Sequence, residues 1–340
     1  MIGFAVIGVG GMGRTHLSSL ARHEQAEVVA VHDSDRRRIA GSLAPGGVNL
    51  ETGATPWDES SVRRCAKLEE VLGDDAVEAV VVATPSHVHA ELTRAALGAG
   101  KHVFCEKPMA LTVGECESML SAAAAADRRL MIGHVLRFWG EYAAAAEVVG
   151  SGRLGELRGL WLSRLCGVPD FGAEGWFLDH ARSGGALMDL HVHDVDYALS
   201  LLGKPRAIRA RGQIGPSGGY DRVFAWYDYG AEGPAAQMEG VWTAGRDAPF
   251  VMAFRMYFEE GTIDYRSDRQ PALASFGPDG PLEMDVSAES GYAVEMDHFI
   301  GCIARGADSD VAPPRSSADA VALAVATAES ARTGKDVRID

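Results

Sequence analysis

The chain has little of what would tie it to a membrane, a nucleic acid or an oxidising compartment. Its five cysteines, Cys65, Cys105, Cys116, Cys166 and Cys302, are scattered, odd in number and form no Cys-x-x-Cys pair. That pattern fits neither a disulfide framework nor a thiolate zinc site, and it suits a reducing compartment. No apolar run approaches the length a bilayer demands. The N-terminus enters the apolar stretch Ile2–Ile7 without a basic leader or a small-residue cleavage site, so it reads as a strand and not as a signal peptide. Basic residues are the minority: 32 Lys and Arg against 47 Asp and Glu leave a net charge of −15. A field of that sign repels phosphate backbones and anionic lipid heads. A soluble, cytoplasmic protein whose partners include no nucleic acid and no membrane is expected.

What is present is an ordinary globular composition. The 340 residues are 47% hydrophobic and 23% charged, enough for two domains with real cores. In the first 130 residues short Val/Ile-rich runs (Ile2–Ile7, Val28–His32, Val77–Ala83, His102–Cys105) alternate with helical stretches (Met12–Arg22, Asp35–Ser42, Lys67–Gly73, Val88–Leu97). Such alternation predicts α/β architecture with a doubly wound parallel sheet. Ala44–Ser60 breaks the rhythm and reads as a long surface loop. A helix over Thr112–Asp127 and a strand over Leu130–Gly133 follow. Then, beyond a helix at Glu141–Val149, aromatic-rich strands succeed one another at turn-sized spacing: Leu157–Leu165, Ala207–Ile214, Arg222–Tyr229, Ala236–Thr243, Phe250–Phe258 and Thr262–Tyr265. They predict one large antiparallel sheet. Helices are expected at Ala186–Leu202, Glu295–Arg305 and Ala318–Arg332. The expected domains are 1–128, binding a dinucleotide, and 129–340, an α+β domain for substrate and oligomerisation.

Chemistry is concentrated in four places. Gly8-Val9-Gly10-Gly11-Met12-Gly13 follows the first strand and opens the first helix. Gly8 permits the tight turn, Gly10 lets the backbone approach a pyrophosphate, and Gly13 allows close helix–strand packing. The helix N-terminus then holds the phosphates. Asp33 ends the second strand twenty positions beyond Gly13, where a carboxylate accepts hydrogen bonds from ribose hydroxyls and favours NAD over NADP. Arg36-Arg37-Arg38 close behind can instead accommodate a 2′-phosphate.

Thr84-Pro85-Ser86, with His89 beyond it, lies at the end of the Val77–Ala83 strand, on the side where ligands bind in open α/β sheets. By itself that turn is equally a helix start capped by Ser86. Glu106-Lys107-Pro108 ends the next strand. An ammonium there can hydrogen-bond a hydroxyl or a developing alkoxide, although such a dipeptide is more commonly a surface ion pair. In the second half, Asp189, His193 and Asp196 fall at helical spacing on one face, an imidazole between two carboxylates, which suits proton transfer. His191 projects to the apolar side and reads as a satisfied interior histidine. No metal site is expected, because no third and fourth ligand is identifiable.

Taken together these pieces resemble the Gfo/Idh/MocA oxidoreductases, the group of glucose–fructose oxidoreductase and the inositol dehydrogenases. The resemblance rests on Gly8-x-Gly10-x-x-Gly13, Ala83-Thr84-Pro85, Ala99-Gly100-Lys101-His102-Val103 leading to Glu106-Lys107-Pro108, Gly184-Gly185-Ala186-Leu187-x-Asp189, and His193-Asp194-x-Asp196. It implies a Rossmann domain followed by a domain with an open-faced, mostly antiparallel sheet that builds homodimers or homotetramers. It implies reversible hydride transfer between a nicotinamide cofactor and a secondary hydroxyl of a sugar, polyol or cyclitol. Lys107, Asp189 and His193 take the family's catalytic positions: the lysine positions substrate and assists proton transfer, the histidine is the acid/base, and the aspartate orients it or contacts substrate hydroxyls. Gly8, Gly10, Gly11, Met12, Gly13, Asp33, Thr84, Pro85, Ser86, His89, Glu106 and Lys107 fall on the cofactor side, and Arg137 and Trp176 are expected to touch substrate. The chain departs from the family pattern at Ser86, where Asn is frequent, in the stretch Ile132–Phe138, which lacks an Asn, at His191, and in the 44–60 loop. Two alternatives share the fold: a sensor that binds a dinucleotide without catalysis, and an enzyme using transient NAD oxidation for elimination or glycoside cleavage.

Overall fold

The computed structural model describes residues 1–44, 58–169, 172–243, 245 and 248–339. The expected 44–60 loop lies, apart from its ends, outside the described residues. The chain divides into two compact units, Met1–Phe138 with Glu289–Ala318, and Trp139–Ala288 with Asp319–Asp340. The first unit runs past residue 128 and takes in a segment from near the C-terminus, which reasoning from chain order alone does not find.

In the first unit strands and helices alternate: β1 (Ile2–Ile7), α1 (Gly11–Ala21), β2 (Ala26–His32), α2 (Arg36–Ala40), β3 (Arg63–Cys65), α3 (Leu68–Leu72), β4 (Ala79–Val82), α4 (His89–Gly98), β5 (His102–Glu106), α5 (Val113–Ala126) and β6 (Leu130–Gly133). The sheet is parallel, with order β3-β2-β1-β4-β5-β6, the doubly wound arrangement. The order reverses between β1 and β4, and the carboxyl ends of those strands open a crevice. Strand β4 is buried at every residue and β1 from Gly3 onward, which is why both read as continuous apolar runs instead of alternating ones. Strand β3 was not expected. Arg63-Arg64-Cys65 has little β-propensity and is held by pairing with Ala30–His32.

The core of this unit packs Phe4, Val6, Leu17, Leu20 and Phe104 against Met296, Phe299 and Ile300 of the helix Gly291–Arg305. The Phe299 ring meets Phe104 edge-on at 5.7 Å and Phe4 at 6.3 Å. Its full burial contributes roughly 1.5–3 kcal/mol, enough to fix the returning segment on this sheet.

The second unit contains α6 (Gly140–Ser151), β7 (Leu157–Gly167), α7 (His180–Ser183), α8 (Val192–Leu202), β8 (Ala207–Ile214), β9 (Tyr220–Asp228), β10 (Ala235–Thr243), β11 (Val251–Phe258), β12 (Thr262–Arg266), β13 (Leu273–Gly277), β14 (Gly280–Pro281) and β15 (Val337–Arg338). The helices α9 (Gly291–Arg305) and α10 (Pro314–Thr333) lie between β14 and β15 in sequence. Nine strands form one sheet in the order β14-β13-β12-β11-β7-β10-β9-β8-β15. Only β7 and β10 pair in parallel; the other pairings are antiparallel.

One face of this sheet carries Ala225, Tyr227, Met238, Leu160, Leu162, Phe254 and Met256, all buried, and is covered by α8 and the turn before it. Pairing register aligns Arg209, Trp226, Gln237, Trp161, Arg255 and Asp264 in one row on the opposite face. Those residues are exposed or half-buried, so this face is open within the chain. The strands β13, β14 and β15, at the two ends of the sheet, escaped sequence reading because they are short, of five, two and two residues. Among the described residues no helix is long and apolar enough to cross a membrane.

Candidate cofactor and substrate site

The glycine turn sits at the carboxyl end of β1. Gly8 adopts φ +92°, and a Cβ there would collide with the Ala83 carbonyl oxygen, so only glycine fits. A Cβ on Gly13 would fall on the Gly8 carbonyl, which enforces the close approach of α1 to the turn. Gly10 caps α1 without any side-chain hydrogen bond, and no acidic residue occupies the first turn. The N–H groups of Gly11, Met12 and Gly13 find no acceptor among the described residues, and the helix dipole favours an anion there. A dinucleotide pyrophosphate meets those requirements.

Asp33, at the end of β2, is nearly buried. Its Oδ2 accepts the Val9 N–H at 3.0 Å and its Oδ1 accepts the Asp35 N–H at 2.8 Å. The carboxylate thus clamps the glycine turn while keeping lone pairs for a ribose. Of the three arginines behind it, Arg37 turns to Asp35. Arg38 places Nη1 4.0 Å from Asp33 Oδ2 and 3.3 Å from where a Cβ of Gly10 would stand.

Ile7 pairs with Val82 and Val82 with Cys105, so Gly8, Ala83 and Glu106 leave the sheet at the same level on neighbouring strands. Strand spacing of about 4.8 Å brings the three turns side by side. Thr84 Oγ1 is buried with no hydrogen-bond partner among the described residues. Ser86 is buried and makes no helix cap. His89 is buried too, 1% exposed. Its Nδ1 lies 2.8 Å from the Pro108 carbonyl oxygen and its Nε2 2.9 Å from that of Thr84, so it bridges the Thr84 turn to the Lys107 turn. Burial pushes this imidazole below its ordinary value, opposed by the two carbonyls.

Glu106 points inward. Its Oε1 accepts from His16 Nε2 at 2.6 Å and its Oε2 accepts the Lys107 N–H at 3.2 Å. Burial alone would raise this carboxyl, but the His16 hydrogen bond, with Lys107 and His89 nearby, holds it below the ordinary carboxylate value. Glu295 of α9 completes a buried group of three with His16 and Glu106. Neither His16 nor Glu295 was found from sequence. A signal existed for Glu295: it occupies the apolar stripe of Tyr292, Met296, Phe299 and Ile300, where a lone acid is out of place.

In the second unit the expected single helix over Ala186–Leu202 is two pieces, a π-helical turn over Leu187–His191 and then α8. Such turns recur at functional sites. Asp189 and His193 are half-buried, whereas Asp196 is 0% exposed. The expectation of one open face carrying all three is therefore corrected: α8 is buried around most of its circumference, and Asp196 lies on a packed side of it. His191 is interior as expected but not satisfied, since neither ring nitrogen finds a hydrogen bond among the described residues. Burial pushes it down to about 3, and it stacks on Tyr227 at 6.5 Å. Asp194, given no role of its own in the His193-Asp194-x-Asp196 motif, is fully buried with Arg164 at 3.2 Å. Burial pushes it up to about 6 against the pull of that guanidinium.

Arg137 donates to the Val311 carbonyl at 2.8 Å and to Ser316 Oγ at 2.6 Å, tying the C-terminal segment into the first unit. Trp176 stacks on Phe177 at 4.0 Å in a turn of the second unit. All five cysteines are buried thiols.

A family model described as an oxidoreductase family with an NAD-binding Rossmann fold, Gfo/Idh/MocA, matches residues 2–134, and the C-terminal domain model of the same family matches residues 142–264. Inositol 2-dehydrogenase of Rhizobium meliloti (strain 1021) is 27% identical over 99% of this chain and 98% of its own length. A scyllo-inositol 2-dehydrogenase (NADP(+)) of Bacillus subtilis (strain 168) is 31% identical over 63% of this chain and 62% of its own. The chain spans about half the length of several other curated relatives it matches. A levoglucosan dehydrogenase solved with NADH and levoglucosan shares the fold with a TM-score of 0.81 at 21% identity, over 99% of both chains.

Proposed function

This chain belongs to the Gfo/Idh/MocA oxidoreductase family, and we propose that it is an NAD-dependent dehydrogenase acting on a secondary hydroxyl of a sugar, polyol or cyclitol. The observation that carries the reading is the alignment of three turns at the switch point of the parallel sheet: the bare N–H groups of the glycine turn, the buried Thr84 hydroxyl, and Lys107. The bound nicotinamide would supply the hydride acceptor. Gly10, Gly11, Met12 and Gly13 would hold the pyrophosphate, and Asp33 the adenosine ribose. The Asp33 carboxylate repels a 2′-phosphate, which favours NAD, and Arg38 is the residue that would admit NADP. The inositol dehydrogenases among the relatives support a cyclitol or sugar substrate.

Within this proposal Lys107 donates a hydrogen bond to the reacting hydroxyl, His193 removes or returns its proton, and Asp189 orients the imidazole. The open face of the nine-stranded sheet, where Trp226 and Tyr257 are each 45% and Phe276 50% exposed, would pair copies of the chain. A panel of inositols, sugars and polyols, followed at the NADH absorbance with NAD and NADP in parallel, tests the activity. Oxidation of none of them by a protein that binds NAD would replace this reading with that of a sensor.

A further inference from the structure

An acid without a partner lies in the interior of the first unit. Glu295 is 0% exposed, and both of its carboxyl oxygens lack a hydrogen-bond donor among the described residues. One ligand-capable atom each from Glu295, Glu106 and His16 lies within 4.8 Å of the other two. Two ionised carboxylates so close in a dry interior repel, and an ionised carboxylate stripped of water and donors takes up a proton instead. A cation would offset the charge differently, but His16 Nε2 and Glu106 Oε1 stand 2.6 Å apart, the separation of a hydrogen bond. Two ligands sharing a tetrahedral zinc ion stand about 3.3 Å apart.

We propose that Glu295 is held as the neutral carboxylic acid, and that Glu295 and His16 both direct donors at Glu106, confining one negative charge to the carboxylate that precedes Lys107. Glu106 Oε2 in turn accepts the Lys107 backbone N–H at 3.2 Å, so the fixed carboxylate holds the peptide that carries the lysine. His16 and Glu295 are positioning residues for Lys107, a role that rests on the reading of Lys107 given above. The titratable groups facing the acid are His16 of α1 and Glu106 of β5; Lys107 and His89 of α4 lie near Glu106 in turn, and Tyr292 of α9 meets the His16 ring edge-on. Burial, with Glu106 adding to it, pushes the Glu295 carboxyl well above its ordinary value.

The sign of the pH effect follows. Below the unfolded value of about 4.3 both states hold the proton. Above it the unfolded chain releases a proton that the native state keeps, so stability falls as pH rises until the raised native value is reached. Glutamine at 295 keeps the size and a donor and removes this penalty.

The test uses the full chain. Infrared spectra of ligand-free protein at pH 7 should contain the carbonyl stretch of a protonated carboxyl that Glu295→Gln abolishes. The thermal midpoint of Glu295→Gln should exceed that of the parent, by a margin that grows between pH 5 and 8 on the order of 2–4 °C per pH unit. His16→Leu and Glu295→Leu should lower kcat while the KM for cofactor holds, with His16→Gln and Glu295→Gln recovering most of it. No such band, with Glu295→Gln destabilised equally at every pH, overturns the proposal. So does a parent protein stabilised by zinc and destabilised by a chelator. The infrared and thermal readings involve no turnover. If they come out as expected while Lys107→Ala remains fully active, the catalytic reading of Lys107 fails and the proton on Glu295 stands.

Discussion

Replacing Gly10 by alanine separates what the glycine turn does for the fold from what it does for a ligand. Gly10 has φ −71°, a value open to any residue. A Cβ there meets only Arg38 Nη1, at 3.3 Å, the free end of a flexible side chain. Alanine is a poorer helix cap than glycine by roughly 0.5–1 kcal/mol, so the thermal midpoint should drop by only about 1–4 °C. The methyl group would stand between the backbone and a pyrophosphate. Losing one hydrogen bond to a charged oxygen costs about 1.5–3 kcal/mol, or roughly 10–150-fold in Kd. Gly13→Ala behaves differently, because its Cβ falls on the backbone carbonyl of Gly8. Overpacking against backbone costs about 1–3 kcal/mol or more, so stability and affinity fall together. Titration calorimetry with NAD and a thermal melt of each variant decide the matter. Wild-type affinity in Gly10→Ala, or wild-type stability in Gly13→Ala, would refute the reasoning.

Lys107→Ala and His193→Ala should each lower kcat by about 10²–10⁴-fold with the circular dichroism spectrum unchanged; normal turnover in either removes that residue from the chemistry. Asp194→Ala leaves Arg164 buried without its acid and should cost about 3–5 kcal/mol, visible as a lower urea midpoint; an unchanged midpoint would contradict the pairing. NAD should give the higher kcat/KM, and Arg38→Ala should weaken NADP use more than NAD use, measured with the same substrate; the opposite order would make Arg38 and not Asp33 decisive. Trp226→Asp combined with Tyr257→Lys should lower the mass found by light scattering, and an unaltered mass would leave the open sheet face unassigned.

The doubly wound half was legible because its strands are short apolar runs closed by Gly, Asp and Pro, and because the glycine turn has a mechanical reason for each glycine that the collisions at Gly8 and Gly13 bear out. The mostly antiparallel sheet was legible from aromatic-rich strands that follow one another at turn-sized spacing without intervening helices. What escaped depends on tertiary placement. Nothing local in Arg63–Cys65 specifies a strand until β2 offers it a partner. The return of α9 to the first sheet depends on Phe299 reaching Phe104 and Phe4, a contact across most of the chain. A helical wheel groups Asp196 with Asp189 and His193, but it does not reveal that α8 is packed on nearly every side, Asp196 included. His191 was placed correctly in the interior, but no spacing rule reveals that its ring stacks on Tyr227 and finds no hydrogen bond among the described residues.

The most direct test of the central claim is a crystal structure with NAD and a polyol substrate bound. The account predicts the Lys107 ammonium and the His193 imidazole both within about 2.6–3.2 Å of a single substrate hydroxyl whose carbon faces the nicotinamide. Density placing those two groups on separate surfaces, with the hydroxyl touching neither, would contradict it.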